Sequence, residues 1–242
     1  MNAPLMNATV AQLTARSLLG RRRTIVLMLL PLALLALSVL VRVLAGVDED
    51  TAAGLLGAFG IAIMMPLLGL IAGTGSIGPE IDEGSIVYLL AKPLNRYSIV
   101  VTKLAVAVGV IVTFGVVPIA IAGLIMTSSP AGVTAAYTVG ALAAGLAYAS
   151  VFLCLAVITK NAVVVGLIYA LIWESLIGGI VPGAQALSVQ QWSLAVAEQV
   201  DFGAASSAVD FGTGLVLLLV VTIGATAYAG RRLQTLRLND DA

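Results

Sequence analysis

Apolar runs of about twenty residues alternate with short polar interruptions along this whole chain. A helix needs ~20 mostly apolar residues to cross the hydrocarbon core of a bilayer. Six stretches meet that requirement: 24–46, 51–75, 104–126, 133–159, 161–182 and 213–230. The pattern therefore predicts an all-α membrane protein with six transmembrane helices. The first run follows Arg21-Arg22-Arg23 and is long enough to span, so it reads as a retained membrane helix rather than a cleaved signal. Ahead of it, in residues 1–23, Met6, Val10 and Leu13 recur at helical spacing. That spacing predicts an amphipathic helix lying on the membrane surface; the alternative is a disordered leader that ends in a charge cluster.

Composition agrees with the pattern. The chain is 60% hydrophobic and 10% charged, against about 25% charged in soluble domains. It lacks histidine, the commonest general base and metal ligand, and its single cysteine, Cys154, excludes an internal disulfide. The formal net charge is zero, so bulk charge points to no nucleic-acid partner.

The charges are sorted, however. Taking the loops alternately, one set holds eleven of the twelve basic residues: Arg16 and Arg21 to Arg23, then Lys92, Arg96 and Lys103, then Lys160, and Arg231, Arg232 and Arg237 in the tail, 231–242. The other set holds Asp48, Glu49, Asp50, Glu198, Asp201 and Asp210 without Lys or Arg. The positive-inside rule then places both termini in the cytoplasm of a multi-pass protein of a bacterial cytoplasmic membrane.

The longest polar interruption on the basic side is 78–103, GPEIDEGSIVYLLAKPLNRYSIVVTK. Gly78-Pro79 suits a helix start, with Glu80, Asp82 and Glu83 in a first turn that the helix dipole favours for acids. Gly84 breaks that turn, Ser85 caps a second short helix with Leu89 and Leu90 on its apolar face, and Pro93 ends it. Asn95 is placed to cap the third span, flanked by Arg96 and Lys103. The glycine-rich stretch Gly73 to Gly78 just upstream, GTGSIG, reads as a hinge at the membrane exit. The stretch as a whole reads as short helices across the cytoplasmic mouth; the plain alternative is a solvated joining loop.

These residues carry a resemblance. ABC transporter permeases of the second type show, after their second span, an acid, a Gly-Thr pair, a leucine-rich turn, a proline, a small polar residue with Arg, and a Lys entering span three. This chain is similar, with Glu80, Gly84-Ser85, Leu89-Leu90, Pro93, Asn95-Arg96 and Lys103 in that order. Ile81 stands where the family often has a basic residue, and Ser85 replaces the usual Thr. The resemblance implies a half-size permease subunit of an exporter. It would pair with a second copy or a sister permease in the lipid membrane, with a separate ABC ATPase subunit on each. The segment between spans two and three would be the coupling helix, with Glu80, Asp82, Glu83, Gly84, Ser85, Leu89, Leu90, Pro93, Arg96 and Lys103 at the ATPase contact. ATP and Mg would bind the partner; this chain would hold no cofactor and have no catalytic residues of its own, in keeping with the absence of a GxxxxGK[ST] sequence.

Three further residues stand out. Glu174 lies inside the fifth run and Arg42 near the outer end of the first; a charge within a span is costly unless paired, so an intramembrane Arg42–Glu174 ion pair is one reading and separate snorkelling the other. In the outer segment, 183–212, Ser188 and Gln191 match a capping box, and Val189, Trp192, Val196 and Val200 repeat at helical spacing. This predicts an interfacial helix anchored by Trp192, which the resemblance would place at an outer gate. Rival readings are a secondary transporter and a permease-like scaffold or maturation factor.

Overall fold

The computed structural model describes residues 8–82, 96–177 and 183–235, and among them every regular element is helical. In chain order these are α1 (Ala8–Leu18), α2 (Arg21–Ala45), α3 (Glu49–Leu55), α4 (Met65–Asp82), α5 (Arg96–Ile111), α6 (Val117–Thr127), α7 (Val133–Ile158), α8 (Ala162–Ile168), α9 (Val189–Val200) and α10 (Phe211–Thr235). Three π-helical stretches, Leu56–Met64, Val112–Val116 and Tyr169–Ile177, join α3 to α4, join α5 to α6 and extend α8. Two of them end two residues before a proline, Pro66 and Pro118. A proline cannot donate to the carbonyl four residues back and collides with it; a wider preceding turn moves that carbonyl aside.

Among the described residues, five helical runs are long and apolar enough to cross a membrane: Thr24–Ala45, Glu49–Ile81, Tyr97–Thr127, Val133–Ile158 and Phe211–Leu233. The fifth predicted span, 161–182, is represented by a shorter apolar helix, Ala162–Glu174. Span two also outruns its predicted end at Gly75. Gly78-Pro79 does not start a helix, because α4 continues through Pro79 to Asp82. The same continuity removes the expected hinge: Gly73 to Gly78 is helical throughout, with Thr74 and Ser76 buried and bonded to the carbonyls of Leu70 and Gly73.

α7 is the centre of the bundle, and α4, α6, α9 and α10 all pack on it. Small residues make this possible. A Cβ on Gly69 would lie 2.5 Å from Tyr148 Cβ, and one on Gly140 3.0 Å from the Ser193 carbonyl oxygen of α9. Without a hydrophobic drive between helices in lipid, such close backbone approach is the main source of attraction. Gly69→Ala is therefore expected to cost about 1–3 kcal/mol. Gly109→Ala, on an exposed face with open space around it, should change stability by less than about 1 kcal/mol. Unfolding of both variants in mixed detergent micelles checks the contrast.

The helix ends sort the charges spatially. At one end lie the start of α2, the end of α4, the start of α5, the turn at Lys160 and the end of α10: Val26, Pro79 and Lys160 line one cavity, and Gly230 packs on Tyr97. At the opposite end, Glu49, Asp50 and Asp201 border another cavity. There Asp48 caps α3 by accepting from the Thr51 amide at 3.2 Å, and the Thr51 hydroxyl and amide hold its carboxyl below the usual carboxylate range.

Candidate functional site

At the basic end, three helices meet on one buried ammonium group. Lys103, one turn into the apolar part of α5, is fully buried. Its Nζ donates to Glu80 Oε1 at 2.7 Å, to the Ser76 carbonyl oxygen at 2.6 Å and to Thr14 Oγ1 at 3.3 Å. An ammonium has three protons, and each has an acceptor here. Ser76 and Glu80 are four residues apart, so they stand one above the other on the face of α4 that looks toward α5. Thr14 belongs to α1, so the amino-terminal helix is tied into the same junction.

α1 reaches that position through a stripe that periodicity alone reads differently. Val10, Thr14 and Leu18, spaced four apart, are buried, whereas Leu13 is 53% exposed. The buried stripe packs on α4 and α5 rather than being turned out to lipid. A threonine in its centre makes sense only once Lys103 is seen beside it.

Glu80 is not in the first turn of a helix but in the last turn of α4, with Asp82 as the final residue. The carbonyl end of the dipole disfavours acids there. Lys103 offsets that penalty for Glu80, whose side chain is 25% exposed while the lysine is sealed from solvent. The junction thus closes the end of α4 and the first turns of α5 on each other. Glu83, Gly84, Ser85, Leu89, Leu90 and Pro93 lie outside the described residues, and Arg96 is the first residue of α5.

Of the two readings of Arg42 and Glu174, the ion pair is not formed. Arg42 donates to the Met126 carbonyl oxygen at 3.1 Å and to Ser128 Oγ at 2.9 Å. It thereby satisfies the carbonyl end of α6, where Ser128 takes a left-handed conformation with φ of 59°. Glu174, fully buried, instead seats itself at the start of α9. Its carboxylate accepts from Tyr169 Oη at 2.8 Å, from the Val189 amide at 3.0 Å, from the Gln190 amide at 3.4 Å and from the Ser188 hydroxyl. Two free amides and the positive end of a helix dipole solvate a carboxylate better than a distant, flexible arginine.

Trp192 also moves from its expected place. It is 4% exposed, and its indole N–H donates to the Ala186 carbonyl oxygen at 2.8 Å. The face of α9 that carries it packs on α7 and α10, with Gly214 of α10 against the Trp192 backbone. Helix α9 is therefore part of the bundle, not a helix floated on lipid by its tryptophan. Of the predicted capping box, Ser188 accepts from the Gln191 amide as expected, but the Gln191 side chain turns away to accept from the Ala208 amide at 3.1 Å.

Among the described residues, no group of three or more His, Cys, Asp or Glu side chains could hold a metal ion. No protein-family model matches this chain, and no curated protein matches it.

Proposed function

We propose that this chain is the membrane-spanning permease subunit of an ATP-binding-cassette exporter of the second type. In this reading it has six spans, both termini lie in the cytoplasm of a bacterial cell, and the basic end of the bundle faces inward. Two permeases, identical or sister, work with two separate ATPase subunits that bind ATP and Mg. The chain itself catalyses nothing; it moves a substrate of amphiphilic character when the ATPases close.

One observation supports this most: the buried Lys103 junction between the end of α4 and the start of α5, the two helices that flank residues 83–95 in the chain. A coupling element must pass force to membrane helices instead of absorbing it. Here the helix entering the segment runs unbroken to Asp82, the helix leaving it begins at Arg96, and Glu80–Lys103 locks the two together with α1 attached. A load on the segment therefore reaches spans two and three and the amino-terminal helix at once.

The test is affinity purification of the tagged full chain from its native membranes in mild detergent. A soluble ATPase is expected to co-purify, and Glu83→Lys should lower its recovery at least about tenfold, since a reversed charge in an interface costs more than 1.4 kcal/mol. Recovery of a monodisperse, folded chain with no ATPase attached would end the proposal.

A further inference from the structure

A cavity of about 350 Å³ opens at the basic end between α2, α4 and the α7–α8 turn. One wall is a single face of α4: Leu70, Thr74, Gly78 and their neighbours, ending at Pro79. Leu70 and Pro79 are nine helical steps apart, so the cavity reaches ~13 Å into the apolar part of the bundle. Val26 and Val163, both more than half exposed, flank it on the other side, which leaves it open sideways to the bilayer rather than sealed within the protein.

Its chemistry is specific. The two hydroxyls in the wall are already engaged: Thr74 donates to the Leu70 carbonyl, and Thr159 accepts from the Asn161 amide. Thr74, buried, is turned back on its own helix, while Thr159 keeps its hydroxyl proton for an acceptor beside Lys160. The charged group on the wall is Lys160, exposed in the turn that follows α7, at the level where a membrane surface would lie. Gly78 keeps the floor open, for nothing lies within 4 Å of where its Cβ would be. An apolar slot that opens to lipid, headed among the described residues by the exposed Lys160, matches a molecule with an acyl chain and an anionic head.

We propose that this cavity is a binding site for an anionic phospholipid of the leaflet at the basic end, one acyl chain lying along α4 and the phosphate on Lys160. The site depends only on the helices being in a bilayer, and it stands whether or not an ATPase partner exists.

Native mass spectrometry of the detergent-purified full chain, titrated with phosphatidylglycerol or phosphatidylethanolamine of identical chains, tests it. The wild-type chain is expected to hold phosphatidylglycerol about tenfold more tightly, the worth of one charge-assisted contact. Lys160→Gln should abolish that preference by weakening phosphatidylglycerol far more than phosphatidylethanolamine, whose own ammonium already offsets the charge of its phosphate. Gly78→Leu, which fills the floor, should weaken both lipids; Val163→Trp, which narrows the opening, serves the same purpose if the leucine variant does not fold. Equal retention of the two lipids by the wild-type chain, or a preference that persists in Lys160→Gln, overturns the proposal. So does a Gly78→Leu variant that converts a dimer to a monomer with lipid binding intact, because the cavity would then be a contact between two copies of the chain.

Discussion

Glu80→Ala is expected to lower the unfolding free energy by about 3 kcal/mol, and by more than Lys103→Met does. The two partners are not equivalent. Lys103 is sealed from solvent, and without Glu80 its charge keeps only the neutral oxygens of Ser76 and Thr14. The Glu80 side chain is 25% exposed at the end of α4, so without Lys103 a change of rotamer brings its carboxylate, one oxygen of which is buried here, out to water. The figure sits at the low end of the range for a broken buried pair because of that exposure. The double variant Glu80→Ala/Lys103→Met should recover most of the loss, since an apolar pair at a buried site is close to neutral against an ion pair. Unfolding of the four proteins in mixed micelles forms the cycle; equal single losses, or single losses that simply add, would contradict the account. The variants should also loosen α1, whose Thr14 shares the ammonium. Tryptic cleavage after the exposed Arg16 is the readout, and it should be faster in both single variants than in the wild-type chain.

The second large effect is at Glu174. Glu174→Ala strands the hydroxyls of Tyr169 and Ser188 and the amide of Val189, all in a buried setting, and is expected to cost about 3–4 kcal/mol. Glu174→Gln keeps one acceptor oxygen but aims an NH2 group at a donor, and should cost about half as much. The local signature is the start of α9. Hydrogen exchange at the amides of Val189 and Gln190 should rise in the alanine variant well before the bundle unfolds. Arg42→Ala provides the control: it should leave that exchange unchanged, because Arg42 serves the end of α6, at Met126 and Ser128. Parallel responses of the Arg42 and Glu174 variants would restore the pairing between them.

Much of the candidate site was legible in the chain, although its geometry was not. Glu80 and Lys103 both stand out from sequence as charges at the edges of apolar runs. That they meet follows only from α4 passing through Pro79, and a proline ordinarily argues for a boundary. At Pro79 the helix continues, and this turns the acids from the first turn of a new helix into the last turn of an old one. Thr14 offered no signal at all, being a polar residue in the middle of an amphipathic stripe. Trp192 misled for a related reason: periodicity identifies the apolar face of α9 but not what covers it, and a face that suits lipid equally suits α7 and α10.

What the sequence alone determined is the class of solvent and the helical, bilayer-length character of most of the apolar runs, though not their count: six were expected, and among the described residues five reach that length. Apolar runs of bilayer length, nearly free of charge, have no stable state in water as separate helices, and in lipid the backbone must satisfy itself within each helix. Sorting of eleven basic residues to alternate loops followed from the same linear pattern, and the folded bundle does gather basic helix ends opposite Glu49, Asp50 and Asp201. Tertiary structure alone decided the partners of the buried charges. Lys103, Glu174 and Arg42 could each have found several acceptors or donors along the chain. The choice among them rests on which helix ends come within ~3 Å, a distance set by glycine contacts around α7 and by helix continuity rather than by any local propensity.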